Sequence, residues 1–250
     1  MIDTSVFCGY WPFRRLSILT PRALKLSLTR CGVTQAWVAA SEAIFYPDPR
    51  QANLPLFEAI AKDSFFKPVA MLDVTLPAWR RDLKEYFNRW GCRIIKLTPN
   101  YHQYELQDPR VEELATIAGE MKTLVCVQLR MMDERGQHPL MKVPAVPVSA
   151  LVQLSRQHPN VRFLACGATQ DELEKLRGTN VLAEISFVES GQALYSAMTS
   201  IGPGQLVFGS HSPFFYIEAV AAKLDVAPEK VPPAQVNEIR TLNARALLAY

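Results

Sequence analysis

The amino-acid sequence predicts an α/β protein, a (β/α)8 barrel formed by one domain that spans residues 1–250. The chain has 250 residues, about the length that eight βα units need. Short runs of β-branched and aromatic residues alternate with longer segments of helical spacing. No low-complexity stretch or charge block divides the sequence. A doubly wound open sheet is the alternative, but no glycine-rich fingerprint follows any predicted strand.

Eight segments of the sequence are predicted to be strands. Each is short and almost continuously hydrophobic, which is typical of strands in a parallel sheet that is covered on both faces. The predicted strands are Met1–Cys8, Val33–Ser41, Phe66–Val74, Arg93–Thr98, Thr123–Leu129, Val161–Cys166, Val181–Phe187 and Gln205–Ser210.

The segments between the strands predict helices. The segment Pro21–Cys31 follows Thr20, a good N-cap residue, and begins with proline, which the first helical turn tolerates. The segment Pro77–Trp90 carries aromatic residues at helical spacing and is followed by Gly91, a stop signal. The other predicted helices are Pro109–Met121, Val148–Gln157, Gln170–Arg177, Gly191–Ile201, Pro213–Lys223 and Pro233–Leu248.

Composition narrows the classes of partner. The chain is 49% hydrophobic and 20% charged, with a net charge of +3 and no run of lysine or arginine. Binding to nucleic acid is therefore not expected. No apolar run reaches the roughly 18 residues of a membrane-spanning helix. A homo-oligomer formed through exposed barrel helices is left open.

The first residues and the cysteines favour a cytoplasmic location. Met1 leads directly into an apolar segment, without the basic region and cleavage site of a secretory signal. The five cysteines are scattered among hydrophobic residues, which is typical of reduced, buried thiols rather than of a disulfide framework or a zinc cluster.

In a barrel of this kind, functional side chains lie at the carboxyl ends of the strands and in the loops that follow them. Four predicted strand ends are rich in polar, charged and aromatic residues. The candidates are Trp11, Arg14 and Arg15 after the first strand, Lys96, Tyr101, His102 and Tyr104 at the fourth, Gln128, Asp133, Glu134, Arg135 and His138 at the fifth, and His211 and Phe214 at the eighth.

These residue types indicate acid–base chemistry on an anion. Imidazoles ionise near neutral pH, so His102, His138 and His211 are candidate proton-transfer groups, and Asp133 is a candidate to orient one of them. Arginine presents a fork that matches a carboxylate or phosphate, so the sequence predicts that Arg14, Arg15, Lys96 and either Arg130 or Arg135 converge on an anionic substrate. Substrate binding is therefore assigned to a larger set, which comprises Arg14, Arg15, Trp11, Tyr101, Tyr104, Gln128, Glu134, Arg135 and Phe214.

Lys96 is a further catalytic candidate with several interpretations. It is a candidate anchor for a substrate carboxylate, a base, or a Schiff-base nucleophile. A structural lysine paired with a glutamate of the seventh strand is the alternative. The segment WPFRRL, residues 11–16, likewise fits either substrate contact or an aromatic cap on the barrel.

Three motifs in register resemble the amidohydrolase-2 family. The segment RIIKLTPNYHQYELQDPR, residues 93–110, is similar to the family's fourth-strand region, and LVFGSHSPF, residues 206–214, is similar to its final strand. The opening IDTSVFCG, residues 2–9, resembles its first strand, which typically reads Ile-Asp-x-His-x-His-x-Gly. The resemblance covers essentially the whole chain and implies an amidohydrolase-type TIM barrel.

The resemblance also implies where the family would hold its metal. Those positions fall on Ser5, Phe7, Gln128, the vicinity of Gly167, and His211. None of them carries the family's usual ligand, and the phenyl ring of Phe7 has no nitrogen, oxygen or sulfur atom to coordinate a metal ion. Neither a metal of the family's kind nor any other cofactor is therefore expected.

The sequence leads to three functional hypotheses. The first is a metal-independent enzyme that hydrolyses or decarboxylates a small carboxylated, cyclic substrate. The second is a pseudoenzyme or anion-binding barrel that keeps the scaffold without the chemistry. The third is a hydrolase with a relocated metal site, formed by His102, His138 and His211 with Glu189 or Asp133.

Overall fold

The computed structural model describes residues 1–189, 192–225 and 230–249. Eight parallel strands form one sheet whose spatial order follows the chain from β1 to β8. The strands are β1 (Ile2–Cys8), β2 (Gln35–Ala40), β3 (Phe66–Met71), β4 (Ile94–Leu97), β5 (Leu124–Gln128), β6 (Phe163–Cys166), β7 (Val181–Glu184) and β8 (Leu206–Val207). The predicted (β/α)8 barrel is therefore confirmed, and each of the eight strands lies within its predicted segment.

Residues that follow β8 join the last strand to the first. The backbone N–H of Thr4 donates to Phe208 O at 3.0 Å, and Phe7 N–H donates to Ser212 O at 2.7 Å. In return, His211 N–H donates to Ser5 O at 2.8 Å. Because β1 is paired on both edges, the sheet curls round and brings the carboxyl ends of all strands to one mouth.

Helices follow the strands along the chain. They are α1 (Pro21–Arg30), α2 (Arg50–Ile60), α3 (Trp79–Trp90), α4 (Pro99–His102), α5 (Pro109–Glu120), α6 (Val148–Gln157), α7 (Gln170–Leu176), α8 (Ala193–Ile201), α9 (Ile217–Ala222), α10 (Pro233–Asn237) and α11 (Asn243–Leu248). The Thr20 side chain caps α1, and the Asp108 side chain caps α5. Within the described residues, no helix is long and apolar enough to cross a bilayer.

The structure differs from the predicted helices in three main respects. Helix α2 was not predicted, because Pro55 lies inside it and its first residues follow a proline-rich turn. The short α4 was also not predicted. The last predicted helix, Pro233–Leu248, is divided by the π-helical turn Glu238–Leu242. Gly191, the predicted start of another helix, lies outside the described residues.

A fully buried asparagine joins α2 to the sheet and to α3. The side chain of Asn53 donates from Nδ2 to Met71 O at 2.7 Å and accepts from Met71 N–H at 3.2 Å. The same Nδ2 lies 3.3 Å from the hydroxyl of Tyr86 on α3. Asn53 therefore satisfies both backbone groups at the end of β3, where water does not reach them.

We expect the Asn53→Ala variant to lose about 2–4 kcal/mol of unfolding free energy, because it leaves both polar groups of Met71 unpaired in the core. Chemical denaturation measures the change. The control is Asn88→Ala, which removes an exposed asparagine of α3 and should change stability little. Equal stabilities of the two variants would contradict the structural role of Asn53.

Candidate functional site

Lys96 lies at the mouth end of β4, inside the barrel, and is only 1% exposed. Its Nζ donates to Gln128 Oε1 at 2.9 Å and lies 3.5 Å from Ser5 Oγ. The ammonium also lies 4.5 Å from the centroid of the Phe7 ring. The charge is therefore held by neutral hydrogen-bond partners and an aromatic face, contacts that stabilise a buried ammonium.

The strand-seven glutamate near this lysine is committed to other partners. Glu184 is fully buried and accepts hydrogen bonds from Gly167 N–H at 2.6 Å, from Ser186 N–H at 2.6 Å and from Ser186 Oγ at 2.8 Å. Burial raises the pKa of Glu184, and the positive charge of Lys96 acts in the opposite direction. The described residues contain no direct ion pair between Lys96 and Glu184, so the predicted pairing is not found.

His211 is enclosed by aromatic rings. Its ring centroid lies 5.2 Å from each of the rings of four phenylalanines, which we call the aromatic plug: Phe7, Phe187, Phe214 and Phe215. Nε2 lies 2.9 Å from Met131 O, and because a carbonyl only accepts, Nε2 carries the proton. Burial lowers the pKa of His211 to about 3, so the ring is neutral at physiological pH.

The aromatic plug separates the interior from solvent. Phe7 contacts both the ammonium of Lys96 and the ring of His211. The two predicted catalytic groups are therefore part of the packed core, since the exposed fraction is 1% for Lys96 and zero for His211. This geometry favours a structural role for both side chains in the state described.

The side chains at the family's metal positions do not fit a divalent ion. Ser5 and Gln128 surround the ammonium of Lys96, which repels a second cation, and Phe7 offers only a ring. Nε2 of His211 donates a hydrogen bond to Met131 O. Within residues 1–189, 192–225 and 230–249, no three His, Cys, Asp or Glu side chains are grouped to hold a metal. The relocated site is therefore not assembled either.

An open cavity of about 700 Å³ lies at the mouth of the barrel, outside the plug. Its aromatic walls interlock: the ring centroids of Trp11 and Phe45 are 4.8 Å apart, and those of Phe45 and Tyr101 are 5.7 Å apart. Trp11 also lies 4.8 Å from Phe214 of the plug. The residues that line this mouth cavity are Trp11, Phe13, Phe45, Tyr101, Met132, Gly136, Gln137, His138, Met141, Lys142 and Val143.

The histidine and the lysine that line the mouth cavity come from the loop after β5. His138 and Lys142 are both exposed, and both line the cavity. Nδ1 of His138 accepts from Leu140 N–H at 3.2 Å, which places the proton of the neutral ring on Nε2. A proton donor and a cation thus share one rim of an aromatic pocket, an arrangement suited to a ring that carries an acidic group.

Most of the predicted anion-binding arginines are used to hold loops. Arg14 donates to Phe214 O at 2.7 Å, and Arg135 forms an ion pair with Asp133 at 2.5 Å. Arg130 forms a two-point ion pair with Glu172, at 2.6 and 2.7 Å. Arg15 is exposed and has no hydrogen bond or ion pair to a described residue. The predicted convergence of these arginines on one ligand is therefore not found.

The remaining predicted site residues also lie apart. His102 is half-buried, 3.4 Å from Thr98 Oγ1, and burial lowers its pKa while Asp73 opposes the change. Tyr104 is buried, and its hydroxyl has no hydrogen-bond partner among the described residues. Glu134 accepts from Ala145 N–H at 3.1 Å. The three mouth histidines consequently occupy three different environments.

A smaller cavity of about 300 Å³ collects several of the predicted charged residues. Its lining includes Asp133, Glu134 and Arg135, together with Arg130 and Glu189. Arg135 lies 2.5 Å from Asp133 and 3.9 Å from Glu189, and Arg130 is paired with Glu172. Its arginines are therefore already neutralised by carboxylates, in contrast to Lys142 in the mouth cavity.

Sequence reasoning missed several residues of the mouth cavity. Phe45 follows β2, a strand end at which no site residue was predicted, and Lys142 lies in the loop after β5 without a predicted role, whereas Phe13 belongs to the predicted WPFRRL segment. Large apolar side chains in predicted loops are a usable sequence signal of a binding surface. Phe13 and Met141 are such residues, and the structure leaves them 54% and 52% exposed.

Comparisons with known proteins identify similar folds. No family model and no curated protein matches the chain. Among solved structures, 2,6-dihydroxybenzoate decarboxylase complexed with 2,6-dihydroxybenzoate is similar with a TM-score of 0.78 and 15% identity, covering 98% of each chain. Dihydroxybenzoic acid decarboxylase from Polaromonas sp. JS666, with bound manganese and the inhibitor 2-nitroresorcinol, gives 0.77 and 14%, covering 99% of this chain and 96% of that one.

A third similar structure is a putative amidohydrolase from Staphylococcus aureus, with a TM-score of 0.73, 10% identity and 99% of each chain covered. Identities this low show the fold alone. The neighbours thus comprise amidohydrolases and decarboxylases named for carboxylated aromatic compounds. The resemblance predicted from the sequence motifs is confirmed in the tertiary structure: the chain has the amidohydrolase-like TIM-barrel fold.

Proposed function

We propose that the protein is an enzyme that decarboxylates a small carboxylated ring compound in the mouth cavity, without a bound metal ion. The observation that carries the proposal is the pairing of aromatic walls with His138 and Lys142 on one rim. The cavity volume of about 700 Å³ is within the range of small-molecule sites. The decarboxylase names of similar structures support the reaction, and hydrolysis of a carboxylated substrate is the alternative within the same proposal.

The cavity walls suit an aromatic ring with one acidic substituent. Trp11, Phe45 and Tyr101 meet at tilted or edge-on angles, which leaves faces for a ligand ring to stack on. The ammonium of Lys142 supplies a positive charge for the carboxylate. Lys142 has no ion pair with any residue that the structure describes, so it is free to bind an anion.

The proposed chemistry assigns a proton transfer to His138. In its protonated form, the imidazole donates a proton to the ring carbon that bears the carboxylate, the carbon–carboxylate bond breaks, and its electron pair restores the aromatic ring as CO₂ leaves. In the hydrolytic alternative, the neutral imidazole accepts a proton from the attacking water. Catalytic roles for Lys96, His102, Asp133 and His211 remain predictions from the sequence. In the function proposed here, Lys96 and His211 support the floor of the mouth cavity and take no part in the proton transfer.

We expect the His138→Gln variant to lower kcat about 10²–10⁴-fold on a panel of hydroxybenzoates that includes 2,6-dihydroxybenzoate, because the proton-transfer group is lost. Release of CO₂ and the decrease in ring absorbance measure turnover. The matched control is His158→Gln, at the end of α6 and outside the cavity, which should retain full activity. Equal kcat for wild type and His138→Gln would remove His138 from the mechanism.

We expect turnover to persist after dialysis against EDTA and to be unchanged by added Mn²⁺, because the side chains at the family's metal positions do not fit a divalent ion. Elemental analysis of protein purified without an affinity-tag metal should find well below one equivalent of any transition metal. Activity that disappears with chelation and returns with Mn²⁺ would contradict the metal-independent reaction.

A binding protein without catalysis is the second candidate. The observation that favours it is the aromatic plug, which shields the side chains of Lys96 and His211 from the mouth cavity. A thermal-shift series with substituted benzoates separates the two candidates. Saturable stabilisation by a ligand that is never consumed supports binding alone, whereas consumption of the same ligand supports the enzyme.

A further inference from the structure

We propose that the face of the barrel opposite the mouth carries a second binding site, which takes a small organic phosphate. The site is a cavity of about 350 Å³ between the amino-terminal ends of the strands and the C-terminal helix α11, and we call it the basal cavity. Gln35 and Ile94, the first residues of β2 and β4, line it, and so does Lys67, the second residue of β3. First residues of parallel strands lie at the end of the barrel away from the mouth.

The charges of the basal cavity are uncompensated. Its ionisable lining consists of Lys67, Arg93 and Arg245, and no acidic side chain of the described residues lines it. None of the three forms an ion pair within the described part of the chain. The guanidinium of Arg93 lies 3.7 Å from the centroid of the Phe87 ring, which fixes its plane, and it donates a hydrogen bond to Met121 O at 3.5 Å.

Three positive groups around one cavity, all on exposed residues, favour an anion with more negative charge than a single carboxylate brings. A phosphate monoester carries close to two charges at neutral pH, and arginine forks match its oxygens. The rest of the lining is mainly apolar, with Pro68, Ile94 and Leu248 among the wall residues. An anion with an organic group therefore fits this lining better than inorganic phosphate does.

The wall that carries Arg245 is fixed to the barrel. The π-helical turn Glu238–Leu242 directly precedes α11, and such turns are rare and frequently mark functional sites. Phe208 N–H donates to Ile239 O at 2.9 Å. Asn243, the first residue of α11, donates to Pro203 O and to Leu206 O, both at 2.8 Å. The π-turn thus sets the direction in which α11 presents its cation, while these bonds hold the helix in place.

The proposal is tested by titrating the protein with butyl phosphate, which has no aromatic ring for the mouth cavity to bind, at low ionic strength, by calorimetry and by thermal shift. We expect saturable binding to the wild type, weaker binding of inorganic phosphate, and a loss of affinity of tenfold or more in the double variant Arg93→Gln/Arg245→Gln. The double variant Arg22→Gln/Arg156→Gln removes the same charge from exposed helical positions outside the cavity and should bind like the wild type.

Further variants keep the test decisive. If loss of the Arg93 contact to Phe87 prevents folding, Lys67→Gln/Arg245→Gln removes two cations that form no hydrogen bond or ion pair with described residues, and it should show the same loss. Lys142→Gln should not change butyl phosphate affinity, which separates this site from the mouth cavity and its proposed reaction. Equal loss in the Arg22/Arg156 control, dependence on Lys142, or equal affinity for inorganic phosphate would overturn the proposal.

Discussion

The buried ammonium of Lys96 is the constraint on which the interior of this barrel depends. A charge that is removed from water costs several kcal/mol unless it is hydrogen-bonded. Gln128 Oε1 and the Phe7 ring meet that requirement, and Ser5 Oγ lies at the limit of hydrogen bonding. These three residues stand at positions where the resembling family would place metal ligands. In this protein their side chains surround the ammonium of Lys96, which leaves no room for a metal ion at the same place.

The aromatic plug extends this arrangement toward the mouth. Phe7 contacts Lys96 on one side and His211 on the other, and three further phenylalanine rings enclose the imidazole. Burial in this plug keeps His211 neutral, so the imidazole adds no positive charge beside Lys96. Trp11 rests on Phe214 of the plug and forms part of the wall of the mouth cavity. The proton-transfer group that we propose, His138, consequently lies in the loop after β5 rather than on a strand.

Ion pairing decides which cations remain free to bind ligands. Near the mouth, Arg130 and Arg135 are neutralised by Glu172 and Asp133, so these arginines hold loops in place. Lys142 at the mouth, and the three cations of the basal cavity, have no such partners in the described chain. These unpaired cations lie at the two proposed sites, which are on opposite faces of the fold. Because the same fold supports many activities, the local charges decide what each site binds.

The sequence by itself determined the eight strands, their order and most helices, because hydrophobic runs, the Thr20 cap and Gly91 are local signals. It did not predict α2, because Pro55 lies inside this helix and proline is a helix-breaking signal. It also identified the segments after β1, β4 and β5 that line the mouth cavity, but not the one after β2 that supplies Phe45. Only the tertiary structure decided that His211 is enclosed while His138 is exposed, and that Arg130 binds Glu172, 42 residues away. Such partners meet through the curvature and register of the closed sheet, which no local pattern of residues encodes.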